Sequence, residues 1–165
     1  MTTTFYPPHV GGIEYHVQNL SKELAKKGHA ITVLTSTLPG QRFSTYEKDS
    51  DEIEIIRLKT IFPRSWPYPS VGSQGFALNV GSVIKKIARE KNIDVIHAHG
   101  HHYYFTWRTL KAAKSERLPS VLTIHGLNAL NPTDPLAEIG EEIFNRIIFR
   151  TELDNATSTI GLTPA

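Results

Sequence analysis

Apolar positions recur along the chain with two periods, that of a helix face and that of a strand. After Gly11-Gly12 they fall at Ile13, Val17, Leu20 and Leu24, a four-three-four spacing that predicts one helix face. Lys26-Lys27 in the last turn and Gly28 just beyond supply the stop. Ala30 to Leu34 reads as a strand. The polar stretch through Pro39-Gly40 and the acidic run Asp49 to Glu52 reads as loop, and Ile53 to Leu58 as the next strand. Thr60 to Gly75 is again loop, dense in proline, glycine and aromatics. Val80, Ile84 and Ile87 mark a helix ending near Asn92, and Asp94 to His97 a short buried strand. Trp107 to Ala113 sits in a further helix, and Ser120 to Ile124 is a strand. Asp134-Pro135 offers an N-cap with proline at the first helical position, for a helix whose apolar face is Leu136, Ile139, Ile143 and Ile147. Thr157 to Leu162 is the last strand. At the other end, Thr2 to Tyr6 is a short β-type run cut off by Pro7-Pro8.

Strands separated by helices imply parallel pairing through right-handed crossovers. The fold expected is therefore α/β, a Rossmann-like, doubly wound, mainly parallel sheet with helices on both faces. At 165 residues the chain suits one such domain, residues 1–165. Both ends read as trimmed: the first strand has almost no residues ahead of its turn, and the chain stops just after a strand.

Composition narrows the chemistry. The formal charge of +2 gives no nucleic-acid footprint, and the absence of cysteine removes disulfides, thiolate catalysis and thiolate metal sites. No apolar run approaches the roughly 18 residues of a membrane span, and the start lacks a secretory pattern, so a cytoplasmic protein is expected.

In doubly wound folds ligands bind outside the carboxyl ends of the strands, which singles out three segments. In Pro7-Pro8-His9-Val10-Gly11-Gly12 the glycines allow close approach of the backbone, and the helix that follows points free N–H groups at a ligand such as a diphosphate. A tight turn with no ligand explains the same residues. G-x-G-x-x-G and the P-loop pattern are both absent, which argues against a dehydrogenase or an NTPase. In Asp94-Val95-Ile96-His97-Ala98-His99-Gly100-His101-His102, alternation puts His97 and His99 on one side of the strand. They suit a polar pocket wall or simple structural histidines; zinc would need further ligands from elsewhere. In Thr123-Ile124-His125-Gly126, the histidine is placed to bond a substrate hydroxyl or phosphate and to carry a proton, and Gly126 leaves room for a ligand; a capping or loop histidine explains the tetrapeptide equally well. The loop Ile61 to Pro69, with Trp66 and Tyr68 between prolines, suits sugar stacking or a lipid headgroup layer, and Lys85, Lys86, Arg89 and Lys91 would attract anionic lipid. A loop packed by its own aromatics beside a solvated basic face is the simpler account.

Taken in order, the segments resemble one family. Phe5-Tyr6-Pro7-Pro8 running into Gly11-Gly12-Ile13-Glu14, a helix closing on Lys27-Gly28-His29 and a strand Thr32-Val33-Leu34-Thr35 are similar to the opening of family-4 glycosyltransferases. Asp94-Val95-Ile96-His97-Ala98-His99 and Thr123-Ile124-His125-Gly126 fall where that family has similar segments. The resemblance implies the N-terminal half of a GT-B fold, whose active site lies between two Rossmann-like domains. It implies transfer of a hexose-type sugar from a nucleotide sugar to a sugar or lipid-linked acceptor, with retention and without a metal or other cofactor. By carry-over, Gly11 and Gly12 would meet the donor diphosphate and His125 would serve the transfer itself. Glu14, His97, His99 and Gly126 would line the acceptor cleft.

The family's C-terminal, nucleotide-binding domain and its E-x7-E motif are missing; Glu116, Glu138, Glu141, Glu142 and Glu152 do not make that motif in its context. Catalysis needs groups from both walls of the cleft, so negligible activity is expected of this chain alone. A C-terminal donor-binding domain, in the same or a separate polypeptide, is the implied partner. The bared face suggests a homodimer, and the aromatic loop a peripheral contact at the inner face of a membrane. Two other functions stay open: a non-catalytic binding module of the same fold, and a metal protein centred on His97 to His102.

Overall fold

The computed structural model describes residues 1–38, 40–49, 51–62, 75–101, 103–126 and 145–162. Its strands are β1 (Thr32–Ser36), β2 (Thr45–Lys48), β3 (Glu54–Leu58), β4 (Ile96–His99), β5 (Ser120–Ile124) and β6 (Ser158–Gly161). Its helices are α1 (Gly12–Lys26), α2 (Val80–Lys91), α3 (Tyr104–Ser115) and α4 (Arg150–Asn155), the last entered through a π-helical turn at Asn145–Phe149.

The strands form two ladders, β1-β3-β2 and β4-β5-β6, parallel throughout except for the β2–β3 pair. The first residues of the chain join them. Thr2 bridges Leu34 on one side and Ala98 on the other. Its N–H donates to the His97 carbonyl at 2.8 Å, its carbonyl accepts from His99 N–H at 3.0 Å, and the Met1 carbonyl accepts from Leu34 N–H at 2.8 Å. The order across the whole sheet is thus β2-β3-β1-Thr2-β4-β5-β6. Connections run outward in both directions from the Thr2 segment, so the topological switch point lies between β1 and β4. A doubly wound fold places its ligand crevice there.

Helices cover both faces, as the alternation requires. On one, α1 packs Val17 and Ile13 against Val33, Ile53, Ile55 and Tyr6. On the other, α2 and α3 bring Val80, Ile84, Phe105, Ala112 and Ala113 against Leu34, Leu58 and Ile96. A third cluster sets Ala98, Leu110 and Leu122 against Phe149 and Ala156. Gly28 takes φ +87 at the end of α1, and Asn92 the left-handed conformation at the end of α2, so both helices stop where the sequence indicates.

Four expectations need correction. The polar stretch read as loop contains β2, an antiparallel edge strand exposed at all four positions. With no buried face it has no apolar alternation, and β3 supplies its pairing. The strands β1 and β4 each start and end two residues later than the apolar runs suggest, because hydrogen bonds to Thr4 and Thr2 draw Ser36 and His99 into the sheet. Ile147, expected on a buried helix face, is 59% exposed. The π-helical turn delays the helical phase, so Phe149 and Ala156 take the inward positions. Finally, the basic side chains of α2 are not a free lipid-facing patch. Arg89 and Lys85 pair with Glu116 at 3.0 and 3.7 Å, Lys91 with Glu54 at 2.5 Å and Lys86 with Glu90 at 3.8 Å. The aromatic loop from Pro63 to Pro69, His102, and the helix signals Asp134-Pro135, Leu136, Ile139 and Ile143 lie outside the described residues.

Candidate active site

Four loops meet at the carboxyl ends of the strands beside the switch point. The first carries the glycine turn. Arg57, 4% exposed in the middle of β3, reaches across with Nη2 donating to the Pro7 carbonyl at 2.5 Å and Nε to Glu47 at 2.5 Å. A charged side chain buried this deeply is tolerated because it is hydrogen-bonded and paired; it fixes the start of the turn. The Pro7–Pro8 bond is cis. His9 then stacks on Phe5 with ring centroids 4.4 Å apart, and Phe62 and Tyr103 extend that aromatic wall.

Gly11 precedes α1 in an extended conformation, and Gly12 begins the helix. The two glycines are not equivalent. A Cβ on Gly11 would lie 3.0 Å or less from atoms of the Glu14 carboxylate, whereas one on Gly12 would meet nothing within 4 Å. Glu14 is buried in the first turn of α1, where the helix dipole favours an anion, and its Oε1 is 2.7 Å from His9 Nδ1. Gly11 is therefore explained by the packing of Glu14, and Gly12 is left open to a ligand. Replacing Gly11 by alanine is expected to cost about 1–3 kcal/mol through displacement of Glu14 and its histidine partner. Gly12→Ala is expected to be neutral or stabilising by up to about 1 kcal/mol, because alanine is the better helix former. Urea denaturation of the two variants checks the asymmetry, and equal losses would contradict it.

The second and third loops bring histidines together. His97 and His99 project to the same side of β4, their ring centroids 4.1 Å apart. His97 Nε2 bonds Thr123 Oγ1 at 2.7 Å, and His99 Nδ1 meets His125 Nε2 at 3.1 Å. His125 follows β5 directly, and Gly126 beside it has φ +154 with open space where a Cβ would be. His16 comes down from α1, its ring centroid 4.9 Å from that of His125 and 5.6 Å from that of His99. Burial pushes the His97 imidazolium down to about 4 and that of His99 to about 2, so both rings are neutral at physiological pH. A neutral imidazole can donate through one nitrogen and accept through the other, which suits handling of a hydroxyl proton. The Nε2 of His99 has no hydrogen-bond partner among the described residues.

The fourth loop follows β4. Gly100, at φ +84, lies under the Tyr103 ring, and Thr106 Oγ1 donates to the His99 carbonyl at 3.1 Å. This ties the start of α3 to the histidine strand. His101 turns the other way and packs on Phe149, so the histidine-rich run does not act as one unit. A cavity of about 800 Å3 opens at the opposite, amino-terminal edge of the sheet, among Leu24, His29, Ile31, Asp94 and Val95. Its charged lining, Lys48, Glu54 and Lys91 among it, is drawn into ion pairs, whereas the glycine turn and the His16, His99 and His125 rings meet at the carboxyl edge, and the candidate site is placed there.

Of the site residues expected from sequence, Gly11, Gly12, Glu14, His99, His125 and Gly126 fall within this edge, while His97 packs on His99 and also lines the cavity at the opposite edge. Sequence reasoning missed two. Arg57 was signalled by a lone charge within an apolar strand. His16 was signalled by its place between Ile13 and Leu20 on the inward face of α1.

The sequence model of Glycosyltransferase Family 4 matches residues 10–164. Among curated relatives, the phosphatidylinositol N-acetylglucosaminyltransferase GPI3 subunit of Saccharomyces cerevisiae is 25% identical over 131 residues, 79% of this chain and 27% of that protein. Its counterpart in Schizosaccharomyces pombe, the gpi3 subunit of the same transferase, is 25% identical over 154 residues, 93% of this chain and 31% of that protein. The alpha-monoglucosyldiacylglycerol synthase of Acholeplasma laidlawii is 30% identical over 122 residues, 73% of this chain and 27% of its own length. The chain spans less than a third of the length of these relatives.

Proposed function

Because this chain belongs to glycosyltransferase family 4 and has the Rossmann-like architecture of its GT-B fold, we propose that it is the acceptor-side wall of an enzyme that moves a hexose-type sugar from a nucleotide sugar onto a lipid-borne hydroxyl, with retention at the anomeric carbon. The observation that carries this reading is the meeting of the glycine turn, Glu14 and the His99–His125 pair at one switch-point edge. The open side of Gly12 and the first amides of α1 would receive the donor diphosphate, whose charge the helix terminus favours. His125 would hydrogen-bond the sugar at the point of transfer, held in place by the buried, neutral His99. The acceptor would enter over the aromatic wall of Phe5, Phe62 and Tyr103.

The lipid acceptor is favoured over a free sugar because the names of the relatives carry phosphatidylinositol and diacylglycerol. No helix among the described residues is long and apolar enough to cross a membrane. The donor-binding wall and the charge-stabilising groups it brings would come from a second domain or polypeptide.

Flotation with vesicles tests the reading. The chain is expected to bind vesicles holding phosphatidylinositol or diacylglycerol in phosphatidylcholine more strongly than phosphatidylcholine alone. In calorimetry it should bind UDP and GDP weakly. Tight nucleotide binding without acceptor preference would place the donor site in this half and overturn the proposal.

A further inference from the structure

One group of side chains at the carboxyl edge has a geometry that hydrogen bonding alone does not use. His16 from α1, His99 from the end of β4 and His125 from just beyond β5 each offer one ring nitrogen, and the three nitrogens lie within 4.8 Å of one another. A tetrahedral ion bound at about 2.0–2.1 Å sets its nitrogen ligands about 3.4 Å apart. The contact between His99 Nδ1 and His125 Nε2, at 3.1 Å, is already within a few tenths of an ångström of that spacing. His16, half-buried on α1, supplies the third nitrogen within that distance.

Chemistry and surroundings agree with this. Two imidazole nitrogens that face each other must share a proton, and an ion between them replaces it. Three imidazoles without a thiolate form the ligand set of open zinc sites, in which the fourth position is left for water or another small ligand. Neighbours fix the rings: His97 packs against His99 and is itself bonded to Thr123, while the His99 carbonyl is held by Thr106. Backbone anchoring and a packed second layer are what keep metal ligands oriented. The nearby carboxylate of Glu14 is bonded to His9. The three ligands come from helix, strand and loop, which is why the run His97 to His102 read alone does not contain the site.

We propose that His16, His99 and His125 bind one divalent first-row transition ion of the zinc class, with a fourth position open to the cleft. The binding stands on geometry alone. Its consequence rests on the function proposed above: the ion takes Nε2 of His125, so metal and sugar transfer exclude each other and zinc acts as an inhibitor.

Cobalt(II) titration of the purified, metal-stripped chain tests this directly. The expected result is uptake of one ion per chain with the intense visible bands of four-coordinate cobalt, which one equivalent of zinc abolishes. His16→Ala should weaken uptake by at least about tenfold, the scale on which even supporting groups tune metal sites. His125→Asn should do the same, and circular dichroism reports whether each variant is folded. His29→Ala, at an exposed position remote from the cluster, should change nothing. Absence of stoichiometric uptake, the faint bands of hexahydrated cobalt, or intense bands that survive His16→Ala would each overturn the proposal. Because none of these readouts involves sugar transfer, failure here leaves the glycosyltransferase reading intact. Conversely, failed acceptor binding in the vesicle experiment leaves the metal site intact.

Discussion

Glu152→Gln is expected to raise the melting temperature at pH 8 and to leave it nearly unchanged at pH 4. Glu152 is fully buried on α4, between Phe149 and Ala156, whose side chains pack on Ala98, Leu110 and Leu122. Neither carboxylate oxygen has a hydrogen-bond partner among the described residues. Burial alone pushes its carboxyl from the ordinary 4.5 up to about 9, so the group is folded in its neutral form. In the unfolded chain the carboxyl loses its proton above about pH 4.5, while the folded chain keeps it. Stability is therefore greatest below the unfolded pKa and falls as pH rises toward the folded value, by about 1.4 kcal/mol for each pH unit. At pH 7 the accumulated loss is about 3 kcal/mol. Glutamine has nearly the same shape and cannot ionise, so it removes that loss without opening a cavity. For a domain of this size the gain corresponds to a rise of roughly 6–12 °C. Thermal melts of both proteins at several pH values between 4 and 8 decide the matter. A difference that does not grow with pH would show that the carboxyl ionises in the folded chain with little penalty.

Glu152 also shows how far the sequence alone carries. Its spacing of three from Phe149 and four to Ala156 puts it on an apolar helix face, a pattern that can be read without coordinates. What cannot be read is the π-helical turn ahead of it, which sets the phase and sends Ile147 outward. The doubly wound architecture was legible because β1, β3, β4 and β5 are buried strands with apolar runs and α1 and α2 have clear periodicity and stops. β2 was not, since Thr45 to Lys48 face solvent and owe their pairing to β3, reinforced by Tyr46–Glu54 at 2.9 Å and Glu47–Arg57 at 2.5 Å. The site divides in the same way. His97 and His99 share a face by strand alternation, and His125 stands at a strand end, so local rules found them. His16 and Arg57 act through long-range contacts that only the closed sheet creates. The glycine turn was half legible: both glycines were expected to face a ligand, and the packing of Glu14 now accounts for Gly11.

Phe105→Ala is expected to remove about 3–5 kcal/mol of stability, the cost of emptying a large buried aromatic position. Phe105 is fully buried in the first turn of α3 and belongs to the cluster that contains Leu34 and Leu58 from one ladder, Ile96 from the other, and Val80 and Ile84 from α2. Between the two ladders lies only the short Met1–Thr4 segment, with three backbone hydrogen bonds to β1 and two to β4. Side-chain packing over that seam must therefore hold the sheet together, and Phe105 is the largest fully buried side chain of that cluster. Marginal domains have about 5–15 kcal/mol in total, so the alanine variant should sit near its unfolding limit at 37 °C. Phe105→Leu keeps most of the volume and should lose clearly less, near the upper end of the about 1.5 kcal/mol typical of milder core swaps. Urea denaturation gives both values. A loss below about 1 kcal/mol in the alanine variant would mean that the neighbours close the gap and the seam is held by the backbone instead. The seam matters for chemistry as well as stability. Phe105 precedes Thr106, whose hydroxyl holds the His99 carbonyl at 3.1 Å, and lies two residues after Tyr103, whose ring covers Gly100. Loosening it should release His99 from His125, so the Phe105→Ala protein, even where still folded, should bind cobalt more weakly than Phe105→Leu.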